Sequence, residues 1–193
     1  MKSWLVMLFV VVGLSACVSQ HKSSDVSLKE QKVLILFPQG LEYAKDTMGF
    51  NNLSREVTQA FSRDLSPLLQ QSGMNTVNII DQNPRYTLDE KLGIYAVTER
   101  VKHAVILTLE SQALDDDYRL NLRAQWVDFR PLLEDGELRG VEVASKTERV
   151  YVLRSSKNGD SPKTMGQLAS DFVAVLKTEG RLKNNSQQGL PKD

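Results

Sequence analysis

The chain has 193 residues, 41% of them hydrophobic and 25% charged, enough for one packed domain with tails. Lysine plus arginine number 24 and aspartate plus glutamate number 24, so no overall field draws the chain to nucleic acid or to an acidic membrane surface. The single cysteine, Cys17, excludes an internal disulfide and any cysteine-based metal centre.

The chain opens with Lys2 and an apolar run over residues 4–14 broken only by Gly13, the layout of an export signal. That run is too short to cross a bilayer as a helix, which needs about 20 residues. It ends in Leu14-Ser15-Ala16-Cys17, which resembles at all four positions the lipobox of bacterial lipoprotein precursors. The resemblance implies a diacylglycerol on the Cys17 sulfur, removal of residues 1–16 as a signal peptide, and further acylation. Several acyl chains, each contributing about 0.8 kcal/mol per buried CH₂, would hold the chain firmly at a membrane. Val18 stands where an aspartate would retain an enteric-type lipoprotein in the inner membrane, so the expected place is the outer membrane, facing the periplasm. With Cys17, the polar, serine-rich stretch to residue 30 reads as a flexible tether reaching roughly 20 Å. Residues 181–193 read as a disordered tail.

Residues 31–180 form the expected single α/β domain. Residues 32–37 are continuously apolar and end at Pro38, as suits a central strand covered on both faces. Leu53, Val57, Ala60, Phe61, Leu65, Leu68 and Leu69 recur at helical spacing, with Gly73 as the stop; Pro67 should kink this helix or begin a second one. Residues 75–80 alternate enough for a partly exposed strand. Thr87 and Glu90 make a capping box, and Leu88, Leu92, Tyr95 and Ala96 the stripe of the helix behind it. Another apolar strand covers 104–109, and Asp115, Asp116 and Asp117 supply a turn. Residues 118–129 then alternate as a half-buried strand. A turn at 134–137 leads to an antiparallel partner over 141–153, whose apolar phase slips near 146–149 and predicts a bulge there. Ser161 and Pro162 begin a last helix with Met165, Leu168, Phe172, Val175 and Leu176 inside, closed by Gly180. The order β-α-β-α-β-β-β-α predicts an α/β (α+β) fold, a mixed sheet with flanking helices.

An export signal, a lipobox, a tether and this order resemble the TolB amino-terminal fold. Periplasmic lipoproteins that activate penicillin-binding proteins share it, as do, with elaborations, the curli secretion lipoproteins. The likeness rests on residues 33–37, the helix over 52–73, residues 75–81, the helix over 88–101 leading into 104–109, and 126–128 with the turn at 135–137; it covers roughly 31–180. Relatives join the last two strands by a tight turn, whereas here residues 130–139 are expected to lengthen it. Pro67 is a second departure. Loops and edges choose partners, so the resemblance assigns none and carries over no site residue.

Markers of chemistry are sparse. His21 falls in the tether and His103 at a helix-to-strand junction, neither in metal-ligand spacing. There is no G-x-S-x-G elbow and no glycine-rich phosphate loop. The aspartates at 115–117 lack the EF-hand pattern and read as a solvated turn; Glu134, Asp135 and Glu137 read as a charged hairpin tip. No cofactor, metal or nucleic acid is expected. Residues 38–51 stand out as a long connection after a buried strand that carries Leu41, Tyr43, Met48 and Phe50, which a plain connector does not need. These four are the candidate partner-binding residues, with a lid folded back on the sheet as the competing reading; 130–139 is a second candidate surface. The expected role is a non-enzymatic interaction or assembly factor for an envelope complex, bound to the membrane by its lipid and to another envelope protein. The alternative is a small-ligand or lipid-binding auxiliary lipoprotein of an envelope transporter.

Overall fold

A strand apolar on both sides demands cover on both faces, and here it is supplied by three helices. The computed structural model describes residues 28–38, 47–81, 85–114 and 117–183. Cys17, His21, Leu41, Tyr43, Asp115 and Asp116 lie outside them. β1 (Lys29–Pro38) runs parallel to β2 (Asn75–Asp81) on one side and to β3 (Val101–Leu114) on the other. β4 (Asp117–Glu134), β5 (Glu137–Ser155) and the short β6 (Gly159–Asp160) follow antiparallel, giving the order β2-β1-β3-β4-β5-β6. With α1 (Thr47–Gln71), α2 (Leu88–Glu99) and α3 (Met165–Thr178), this is the expected mixed sheet with flanking helices, plus β6.

Alternation along β1 divides the core in two. Val33, Ile35 and Phe37 meet Phe61, Leu65 and Leu69 of α1 and Leu168, Phe172 and Leu176 of α3, around Trp126. Leu34 and Leu36 meet Leu92 and Ala96 of α2, with Ala104, Ile106, Val127 and Phe129. Each such valine, leucine, isoleucine or phenylalanine fully buried contributes about 1.5–3 kcal/mol. The helices take opposite faces because β1 sits between β2 and β3: the two crossovers travel in opposite directions, so crossovers of one hand must pass over opposite faces.

Helix ends follow local chemistry. α1 stops at Gly73, whose φ of +84° lets its N–H reach the Gln70 carbonyl at 2.9 Å and the Met74 N–H reach Leu69 at 3.0 Å, a Schellman motif. No second helix begins at Pro67; α1 runs through it as one element. α3 starts later than Ser161-Pro162, because Thr164 and Gln167 form a complete capping box.

Four further expectations are corrected. Residues 130–139 are strand, not a lengthened connection, up to a two-residue turn in which Asp135 and Gly136 both have positive φ, the type I′ geometry that suits twisted strands. The bulge is not at 146–149, where register is regular; Arg139, Ala144 and Leu153 are the residues of β5 without a partner on β4. The polar run at 146–149 marks a half-exposed sheet, not a change of phase. Asp117, expected in a solvated turn, is buried at the start of β4 and accepts bonds from Ser156 (2.6 Å), Arg119 (2.8 Å), Ser155 (3.0 Å) and the Lys157 N–H (3.3 Å). The Ser156 hydroxyl is the largest influence holding its carboxyl well below the usual range. Finally, Leu28 and Leu182, assigned to tether and tail, are buried, one in each half of the core, where their apolar side chains leave water.

A candidate functional site at the ends of the parallel strands

From β1 the chain travels outward to β2 and then back across to β3, so β1 and β3 form a switch point, where connections part to opposite faces and leave a crevice at the carboxyl ends of the strands. A cleft of about 670 Å³ opens there. Pro38 at the end of β1, Ile106 to Gln112 of β3 except Leu107, and Arg123 and Gln125 of β4 line it. Phe50, Asn51 and Ser54 from the start of α1, and Leu88 from the start of α2, complete the lining.

Local rules put each group in place. The Thr87 capping box fixes where α2 begins, and so the position of Leu88: the Thr87 N–H donates to Glu90 at 2.7 Å and the Glu90 N–H to Thr87 Oγ1 at 3.3 Å. Strand register sets Arg123 opposite Thr108 and Gln125 opposite both Ile106 and Glu148. Arg123 grips Glu110 with two nitrogens, Nε at 2.8 Å and Nη2 at 3.0 Å, while Nη1 reaches Glu148 at 2.9 Å. Gln125 donates to the other Glu148 oxygen at 3.2 Å. The Nη2 hydrogen bond to Glu110 is the largest influence raising the Arg123 pKa, while the Nε approach is an ion pair without hydrogen-bond alignment. One guanidinium between two carboxylates leaves a wall that is slightly acidic and rich in neutral hydrogen-bonding groups. The apolar part is Phe50, Leu88, Ile106, Leu109 and Pro38. The set can hold an extended segment, with one or two apolar side chains against Phe50 and Leu88 and polar groups against Thr108, Gln112 and Gln125. The lining contains no histidine, cysteine or lysine.

Of the four residues singled out in 38–51, Phe50 lies in this cleft. Met48 is in the first turn of α1, and Leu41 and Tyr43 lie outside the described residues. The segment is not one connection: α1 begins at Thr47, ahead of the expected start. Phe50 continues the spacing of Leu53 and Val57, but Gly49, Asn51 and Asn52 are poor helix formers and hide it. The sequence reading missed Glu110, Arg123 and Glu148. Polar residues alternating on β3 and β4 were the signal, and only their register shows that they meet.

A second polar cluster lies beneath the face covered by α1 and α3. Asp128 accepts from Trp126 Nε1 (2.7 Å), Ser145 Oγ (2.5 Å) and Arg181 Nη1 (2.7 Å), and pairs with His103 Nδ1 at 2.7 Å. Burial by itself would raise its pKa, but His103, Ser145 and Trp126 hold it down to about 2. His103 also stacks against Trp126, ring centres 5.1 Å apart. Ser145 gives its proton to the carboxylate, not to the imidazole, so the arrangement ties β3, β4, β5 and the chain after α3 together without activating the hydroxyl. Gly180, at φ +71°, turns the chain so that Arg181, expected in the tail, reaches this cluster. Among the described residues no group of three or more histidines, cysteines or carboxylates could hold a metal ion, and no helix is long and apolar enough to cross a membrane.

No family model matches the chain, and no curated protein does. Among solved structures it is similar to a PelC dodecamer from Paraburkholderia phytofirmans, with 10% identity over 82% of this chain and 91% of that chain and a TM-score of 0.33. It is also similar to a neuraminyllactose-binding hemagglutinin homolog from Helicobacter pylori, at 9% identity, 82% and 89% coverage and a TM-score of 0.29. A third is the hypothetical protein CT253 from Chlamydia trachomatis, at 11% identity, 79% and 96% coverage and a TM-score of 0.30. At TM-scores near 0.3 these likenesses carry no argument about fold or function.

Proposed function

We propose that the chain is a lipoprotein held through Cys17 at the periplasmic face of the outer membrane, and that its body is a non-enzymatic interaction or assembly factor for an envelope complex. The anchor rests on Leu14-Ser15-Ala16-Cys17 and the apolar run before it. The binding role rests on the composition of the cleft: eight of its thirteen lining residues are polar, so it suits the backbone and side chains of a protein segment. Phe50 is one of its apolar contacts, and the sequence places Leu41, Tyr43 and Met48 just ahead of it.

Two experiments test the proposal. Mass spectrometry of the native protein should show acyl chains on Cys17, and Cys17→Ser should release the protein from membranes or block its maturation; an unmodified thiol or an intact leader overturns the anchor. The full chain, used as bait on solubilised membranes, should hold an envelope protein that Phe50→Asp no longer holds. Identical recovery with both baits overturns the role of the cleft, and stoichiometric lipid co-purifying with the wild type moves the assignment to the ligand-binding class.

A further inference from the structure

β5 is an open edge. β6 covers only Arg154 and Ser155, and Leu153 accepts one bond from Ser161; over 137–152 the outer side of the strand has no neighbour among the described residues. An unpaired edge of this length is a template for another strand. The side chains of β5 on the α2 face say which strand. With Ala144 bulged out, the row reads Val141, Val143 and Lys146 before Thr147, and Glu148, Val150 and Val152 after it. Reversed about Thr147, the row is its own complement: Lys146 falls opposite Glu148, Val143 opposite Val150, and Val141 opposite Val152, each contact occurring twice.

Three of these valines are conspicuously wet, Val143 at 41%, Val150 at 46% and Val152 at 43% exposure. Lys146 makes no ion pair with any described residue. Between α2 and the edge lies a hollow of about 370 Å³ lined by Gly93, Phe129, Val143 and Lys146, which the side chains of an added strand would enter.

We infer that β5 pairs over residues 141–152 with the same stretch of a second copy, antiparallel about a two-fold axis through Thr147, so that the two sheets join along the stretch that β6 leaves open. A two-fold interface needs every residue's complement on the same patch, and this row has it. Bulges and charges normally keep foreign strands off an edge. Here a second copy answers the charges, since its Lys146 and Glu148 meet opposite charges, a favourable cross-strand pairing, and each Ala144 bulge lies opposite the regular 149–150 stretch of the other copy.

Sedimentation equilibrium of the full chain in density-matched detergent should give the mass of two protomers. Lys146→Glu alone and Glu148→Lys alone each set like charges opposite one another on both sides of the axis, and each should weaken association about tenfold. An equimolar mixture of the two single variants should associate again, because each supplies the charges that the other lacks. Circular dichroism establishes that each variant is folded. A single-protomer mass for the wild type at every concentration overturns the inference, as does undiminished association of Lys146→Glu. A mixture of folded single variants that fails to associate overturns it too.

Discussion

Replacing Asp128 with asparagine keeps the size of the side chain and removes its charge from a site where the carboxylate is 13% exposed and gripped by donors on four residues. Those donors hold the carboxyl at about 2, against an ordinary value of 3.8. The unfolded chain therefore binds this proton more readily than the folded one. The resulting stabilisation is complete above about pH 4 and is lost as pH falls through about 2. At 1.36 kcal/mol per tenfold change in proton affinity, the carboxylate contributes about 2 kcal/mol at neutral pH. Asp128→Asn also turns an amide towards groups that donate, so urea unfolding at pH 7 should show a loss of about 2–4 kcal/mol. Near pH 2 the gap between wild type and variant should shrink by about 2 kcal/mol, and because it is a difference, the titration of other carboxylates cancels. A gap below about 0.5 kcal/mol at pH 7, or one that does not change with pH, refutes the reasoning.

Phe61→Ala empties the point where α1, α3 and Tyr151 meet, with ring centres 6.3 Å apart, and should cost about 3–5 kcal/mol by denaturant unfolding. Lys91 and Asp81 pair at 3.1 Å with 3% and 2% of their side chains exposed; Lys91→Met should cost about 3 kcal/mol, and most of it should return when Asp81→Leu is added. Gly136→Ala forces a side chain into a left-handed turn at φ +78°, for which about 1–2 kcal/mol and faster amide exchange at the β4–β5 tip are expected.

Features written in consecutive residues were legible in the sequence. The apolar run at 33–37 identifies the buried central strand, Thr87 with Glu90 the start of α2, and Asp135-Gly136 the hairpin turn, because each is governed by neighbours a few residues away. The start of α1 was hidden because Gly49 and the two asparagines argue against a helix that tertiary packing nevertheless extends. Thr164 lost to Ser161-Pro162 as a start signal for a similar reason: both fit the rule, and only one has Gln167 three residues on. The cleft and the Asp128 cluster were not legible. Arg123 and Glu110 lie on different strands, and Asp128 gathers partners from β3, β4, β5 and the chain after α3, so register and topology had to be known first.

Leu28 leads into the strand at the middle of the parallel half of the sheet, and Lys29 immediately donates its N–H to the Arg100 carbonyl at 2.7 Å. A pull on the chain ahead of Leu28 is directed along β1, which is zipped to β2 through seven registered pairs and to β3 through five. Loaded lengthwise, those two ladders share the strain and must rupture together, whereas a strand at a sheet's margin can be peeled away one bond at a time. The amino-terminal end of the body is thus a shear-resistant handle, on which a pull is borne by both ladders before the core unravels.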